Sequence, residues 1–393
     1  MTTIDDTMDR PVFLWKDRVW YIYGCVAAVA TLFYFAAGRS GYLFNAIGLS
    51  APLAILIAVR LHRPARKAPW HLLALGMALF IAGDVITYNY PRLFGTEAPF
   101  PSIGDVLYLS VYPCLVLGLL LMVRLRTPGR DWTSLLDSLM VAVAVGTASW
   151  IFLMSPYWHD QESGLLARLT SMGYPLADLI LIAVAVRLAV GAGRRVPSLI
   201  LMLVATCALF VTDTIYAWVL LYTTYEPGSG YLELGWAAFY VVLGMAALHP
   251  SMRSLTERAP EQTERMGWAR LAMLLGAALI PPTIRLAQYL RHEPVDNIVL
   301  IGATFTLFVL VVLRMAGLVH LQERYAARER ALREAGAALV TATNRDSIRT
   351  ATIQAVKALA GLDAAVRVCE RDPDRPSRFV VTAGDEGPAF AVS

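Results

Sequence analysis

The chain has 393 residues, 57% of them hydrophobic and 16% charged, with a net charge of +4 and a mean hydropathy of +0.54. A soluble globule covers its outside with polar groups and carries about 25% charged residues, so this composition excludes a soluble enzyme or binding domain of the same length. Four cysteines exclude a disulfide scaffold, and the apolar excess excludes disorder and collagen.

A membrane-crossing helix needs about 20 apolar residues. Ten runs meet that length, at roughly 19–37, 42–61, 70–89, 103–124, 134–155, 170–190, 197–222, 231–249, 267–290 and 296–319. The expected fold is an all-α polytopic membrane protein in contact with the lipid bilayer. The first run is read as a span and not a cleaved leader, because Asp5, Asp6, Asp9 and Asp17 precede it and no small-residue cleavage site follows.

Charge in the loops orients the spans. The even loops hold Arg60, Arg63, Arg66 and Lys67, then Arg124, Arg126 and Arg130, then Arg187, Arg194 and Arg195, then Arg253, Arg258 and Arg265. The odd loops hold only Arg39, Arg92, Arg168 and Arg291. The positive-inside bias therefore predicts cytoplasmic even loops and cytoplasmic termini. Arginines at a membrane surface account for the net charge, with no nucleic-acid partner required.

Segments three and four resemble segments seven and eight. Ala78–Asp84 followed by Asp105, Tyr108 and Tyr112 matches Ala208–Asp213 followed by Glu233, Trp236 and Tyr240. Tyr174-Pro175 in segment six echoes Tyr112-Pro113 in segment four. Duplication of a two-helix unit is the expected origin, and both copies start from the same side.

Carboxylates inside apolar spans are costly and ask for a partner or a purpose. Asp84, Asp178 and Asp213 fall in the middle or outer parts of segments three, six and seven. Asp105 and Glu233 stand at the outer starts of segments four and eight, and Arg285 reaches a similar level. Asp105, Tyr108 and Tyr112 share one helix face, as do Glu233, Trp236 and Tyr240. Together these residues are candidates for a polar, aromatic-walled pocket that takes an unknown small ligand. Each also has a structural reading. Ser102 and Asp105 have the spacing of a capping box, Glu233 suits a helix N-terminus, the tyrosines suit an interfacial belt, and Arg285 suits snorkelling or pairing with an acid.

Other features are read the same way. Pro281-Pro282 is expected to kink or break segment nine. Asp137 is expected to reach the loop arginines. The six histidines lack metal spacing, and no phosphate-cradling loop or nucleophile elbow occurs. No catalytic residue, metal or cofactor is therefore expected.

No proline lies between Pro294 and Pro373. The last span can thus run on as a helix over about 296 to 343, whose Leu318, Leu321, Tyr325, Leu332, Ala335 and Leu339 form a heptad seam. This seam predicts a homodimer through the cytoplasmic helix. Asn344 to Ser347 should cap a further helix reaching about Ala360, with Ile348, Ile353, Val356 and Leu359 on its apolar face. Ala364–Cys369 and Arg378–Thr382 read as strands about the turn Arg371–Asp374. The domain plan is a tail over about 1–18, a ten-helix membrane domain over 19–319, a linker helix over 320–343 and an incomplete α+β segment over 344–393.

The stretch from Ala337-Ala338-Leu339-Val340 through Val380-Val381-Thr382-Ala383-Gly384 resembles the opening of a GAF domain. The whole layout resembles the N-terminal region of bacterial signalling proteins in which a polytopic plasma-membrane sensor leads to GAF or PAS and then to GGDEF and EAL domains that make or degrade cyclic di-GMP. That resemblance implies a sensory module relaying an extracytoplasmic or intramembrane signal to a cytoplasmic output. This sequence departs from the family at its end: it contains no GGDEF motif, no EAL motif and no complete GAF, so no catalytic activity carries over. The alternative expectation is a secondary transporter or permease that uses the intramembrane carboxylates.

Overall fold

The computed structural model describes residues 17–127, 132–191, 193, 195–223, 231–259, 268–292, 297–360, 367–371 and 379–384. Most of the expected N-terminal tail and the turn after Arg371 lie outside them.

The helices are α1 (Val19–Ala36), α2 (Gly41–His62), α3 (Ala68–Phe94), α4 (Ile103–Arg126), α5 (Trp132–Ser149), α6 (Ser155–His159), α7 (Leu165–Val190), α8 (Pro197–Tyr222), α9 (Leu232–Leu248), α10 (Trp268–Leu290), α11 (Asn297–Thr341) and α12 (Arg345–Ala360). A π-helical turn, Trp150–Met154, joins α5 to α6 as one span, and a 3-10 turn, Pro250–Thr256, follows α9. Among the described residues nine helices are long and apolar enough to cross a membrane; α9 with its 3-10 turn, bent by 84°, makes a tenth. The chain is therefore a multi-pass helical membrane protein. Segment eight is the short one because Pro250 turns the chain after only 17 helical residues.

Local chemistry sets the ends. Prolines open α3 and α8 where a missing N–H costs nothing. Ser102 and Asp105 form the expected capping box at the start of α4. Gly95 ends α3 in the left-handed region at φ 72°, where it donates to the Pro91 carbonyl at 3.0 Å. In the loop before α7, Asp160 accepts from the Ser163 hydroxyl at 2.6 Å and from the Glu162 N–H at 3.0 Å, which holds its carboxyl below the usual carboxylate range.

The chain divides into two compact units, one up to Val311 and one from Val312. In the first, α2 packs on α3, α3 on α4, α4 on α7, α7 on α8, α8 on α9, and α9 back on α2. These six helices close a ring whose core includes Ile55, Trp70, Met77, Leu209 and Tyr240. The ring consists of two sets of three consecutive helices, so the repeated unit is one helix larger than the sequence indicates. It also places α7 where α2 stands in the other set. The likeness of Tyr174-Pro175 to Tyr112-Pro113 therefore marks no equivalence between α7 and α4.

Outside the ring α1 covers α9 and α2, while α5 packs on α7 and α10 on α5. Met140 and Ala144 of α5, Leu274 and Ala277 of α10, and Leu307 and Leu310 of α11 form a second core. Large apolar side chains such as Leu32, Phe33, Ile301 and Phe305 are exposed, as lipid-facing positions should be.

Two expectations are narrowed here. Pro281 and Pro282 do not end α10, which runs on to Leu290; only the N–H donors to the Ala277 and Ala278 carbonyls are lost, and the turns on either side keep theirs. Asp137 is fully buried and pairs with Arg270 of α10. Packing of α10 on α5 brings Arg270 close enough for that pair.

In the second unit the Asn344 side chain accepts from the Ser347 N–H at 2.7 Å and caps α12. The strands β1 (Arg367–Arg371) and β2 (Phe379–Gly384) pair antiparallel with a bulge between Val368 and Cys369. Ala351 of α12 is buried, whereas Ile348 and Val356 of the expected apolar face remain exposed.

Candidate functional site

The carboxylates of the two repeats meet aromatic donors inside the ring. The Tyr108 hydroxyl donates to Asp84 Oδ1 at 2.8 Å and the Trp236 indole donates to Asp213 Oδ1 at 2.7 Å. These are equivalent pairs within each copy: the acid lies on the second helix of its set and the aromatic three residues beyond the acidic start of the third. The second oxygen of each acid is served by the opposite copy. Tyr240 donates to Asp84 Oδ2 at 3.2 Å, and Tyr112 donates to Asp213 Oδ2 at 3.1 Å. The two repeats thus exchange tyrosines across the ring. Asp84 and Asp213 are the deep acids, and all four of their donors are uncharged.

Packing fixes the donors. Tyr240 is fully buried, with its ring against Phe44, Phe80 and Phe239 at centroid distances of 5.9, 5.4 and 5.7 Å. Phe80 also meets the edge of Tyr108 at 5.5 Å. The Tyr108 ring lies against Gly83, where an added Cβ would come within 2.7 Å of it. Gly83→Ala should push the ring off Asp84 and lower stability by about 1–3 kcal/mol, the usual range for overpacking, read as a lower thermal midpoint in detergent. Tyr108→Phe keeps the ring in place and should lose less, which separates ring displacement from loss of the hydroxyl.

The remaining candidates fall into three groups. Asp105 is both cap and site member: its Oδ2 accepts from the Ser102 N–H at 2.7 Å, and its Oδ1 accepts from the Tyr174 hydroxyl at 2.7 Å across to α7. Asp178 is buried and shares a cavity with Asp213, and the Tyr112 hydroxyl also reaches it. Glu233 is buried in the first turn of α9, where Oε2 has no hydrogen-bond partner. Arg285 does not join the site. It is exposed on α10, a helix packed on α5 outside the ring. Its depth along the helix matches the acids, but its neighbours do not.

Tyr90, whose ring meets Phe94 at 4.5 Å, fits the belt reading, whereas Tyr88, though partly exposed, lies near the carboxylates of Asp84 and Glu233. Tyr216, in contrast, meets Trp236 edge-on at 5.4 Å. Sequence reasoning missed Ser149 and Thr214, which line the cavity with Asp178 and Asp213. A small hydroxyl residue in an apolar helix carries no signal that it faces an acid on another helix. The cavity measures about 20 Å³, room for one water-sized species and for no organic ligand.

Chemically, the centre is a set of buried carboxylates in a low-dielectric interior, held by neutral donors from both halves of the ring. Comparison with protein-family models, curated proteins and solved structures returned no match to this chain.

Proposed function

We propose that the chain is an integral membrane sensory module. A charge-linked event at the acid–aromatic centre would pass through α11 to a cytoplasmic output, of the cyclic di-GMP type found in the proteins its layout resembles. The observation that carries this reading is the unbroken α11. At about 1.5 Å per residue its 45 residues extend about 67 Å, roughly twice the ~30 Å needed to cross the hydrocarbon. Leu307 and Leu310 of α11 share a side-chain cluster with residues of α5 and α10, and α5 packs on α7, which bears Asp178. Side-chain contacts thus link the acid-bearing α7, through α5, to α11, which supports a relay between them.

Further along α11, Tyr325, Leu332 and Leu339 recur at heptad spacing and are 48%, 55% and 41% exposed. That apolar line supports a parallel pairing of two copies. The capped α12 and its hairpin support the GAF-like reading of the tail.

The reading is tested by a single cysteine at Leu332 in a chain whose native cysteines are replaced, oxidised in native membranes. The expected result is a cross-linked dimer whose rate of formation changes when Tyr112→Phe is added. No cross-link, or the same rate in both backgrounds, contradicts the relay.

The carboxylate-lined cavity also favours a second reading, an ion-coupled transporter. A transporter requires ion flux across sealed vesicles, whereas a sensor binds without flux.

A further inference from the structure

We propose that Asp178 and Asp213 form a binding site for one small monovalent metal cation, of Na⁺ size, in the cavity between α5, α7 and α8. The inference names the ligand of the sensor proposed above and rests on that reading for its physiological meaning.

Space gives the first argument. The cavity is lined by Ser149, Tyr174, Pro175, Asp178, Asp213 and Thr214, with apolar residues completing the wall. Its volume of about 20 Å³ admits a single water or a bare ion. Amines and other organic cations are too large.

Charge gives the second. Two acidic residues line this space, and no lysine, arginine or histidine does. An uncompensated pair of acids at membrane depth is costly, and neutral donors relieve only part of that cost.

The third argument is an unused oxygen. Asp213 has both oxygens engaged, by Trp236 and by Tyr112. Asp178 is only 4% exposed, yet its Oδ1 has no hydrogen-bond partner. A buried carboxylate oxygen left without a donor lacks a ligand, and this one belongs to a residue that lines the cavity.

The donor set selects the class. Carboxylates and the hydroxyls of Ser149 and Thr214 are hard oxygen donors, and neither His nor Cys is present to favour a softer ion. Among the described residues no three His, Cys, Asp or Glu side chains converge. Calcium takes about 6–8 oxygens, more than this space arranges, and magnesium dehydrates reluctantly. A singly charged ion that sheds most of its water fits both the volume and the pair of acids. Bound there it would pull together α7 and α8, with Ser149 drawing in α5.

The test uses the purified full chain in detergent. Its thermal midpoint is followed as sodium chloride replaces choline chloride at constant ionic strength and pH. A ligand that binds only the folded state raises the midpoint saturably. The expected result is such a rise, with a half-saturating concentration at least about tenfold higher in Asp178→Asn, a loss of about 1.4 kcal/mol, and a smaller increase in Thr214→Ala. Asp160→Asn, in the loop before α7, should leave the response unchanged. Should Asp178→Asn fail to fold, Thr214→Ala and equilibrium binding of radioactive sodium to the unaltered chain, with one ion per chain expected, still decide the matter. Equal midpoints in sodium and choline overturn the proposal. So does a midpoint that varies with pH but not with sodium, which would assign a shared proton to the two acids. Binding is read here without any output, so its failure leaves the Leu332 cross-linking result standing on its own.

Discussion

Arg270→Ala should destabilise the membrane domain by about 3 kcal/mol, the lower end of the range for stranding one partner of a buried ion pair. Asp137 has no solvent exposure and Arg270 very little. Removing the guanidinium takes a charged partner from the fully buried Asp137 in the packed space between α5 and α10. The lower end applies because a chain unfolded within a membrane also finds partners for its polar groups, which narrows the difference between states. The double variant Asp137→Leu with Arg270→Leu should recover most of the loss, since an apolar pair of similar volume removes both desolvation costs. Unfolding in mixed micelles measures both. Equal destabilisation by the single and double variants would show that the pair contributes no net interaction between α5 and α10.

Tyr240→Ala should cost about 3 kcal/mol and Tyr240→Phe about 1 kcal/mol, because the two changes remove different things. The ring fills the centre of the six-helix packing against Phe44, Phe80 and Phe239. Truncation to alanine leaves a cavity that helices fixed by their neighbours cannot close. Phenylalanine keeps the ring and deletes only the donor to Asp84 Oδ2. Hydrogen bonds between membrane helices average about 0.6 kcal/mol and reach about 1.7, and a bond to a carboxylate belongs near the top. Tyr112→Phe should behave likewise toward Asp213, since it occupies the equivalent place in the other repeat.

Much of this fold is legible in the sequence because a lipid environment leaves few choices. Every backbone group in a span must find its partner within a helix, so long apolar runs separated by Arg-rich or Pro-bearing loops map onto α1 to α11. The cap at Ser102 and Asp105 is equally readable, being an interaction within one turn. The site is legible only in part. Asp84 and Asp213 stand out as acids in apolar helices, and their spacing to Asp105 and Glu233 reveals the repeat. What does not show is the exchange of Tyr112 and Tyr240 between copies, because periodicity gives the face of a helix but not the helix it meets. Arg285 illustrates the same gap. It has the right depth, but α10 belongs with α5 and α11 rather than with the ring. Arg270 is a cation near the start of an apolar segment, as Asp137 is an acid near the start of another, and that match is visible in the sequence. The π-helical turn after Ser149 has no comparable signature.

The exchange of tyrosines between the two repeats is the feature on which the rest depends, and a double-mutant cycle tests it most directly. Folding free energies of the unaltered chain, Asp84→Asn, Tyr240→Phe and the double variant give the coupling between the two side chains. Hydrogen bonding between Asp84 and Tyr240 predicts a coupling energy of about 0.5–1.7 kcal/mol, within the span for groups in direct contact and for bonds between membrane helices. Additive effects, agreeing within about 0.3 kcal/mol, would contradict a centre shared by the two halves of the ring.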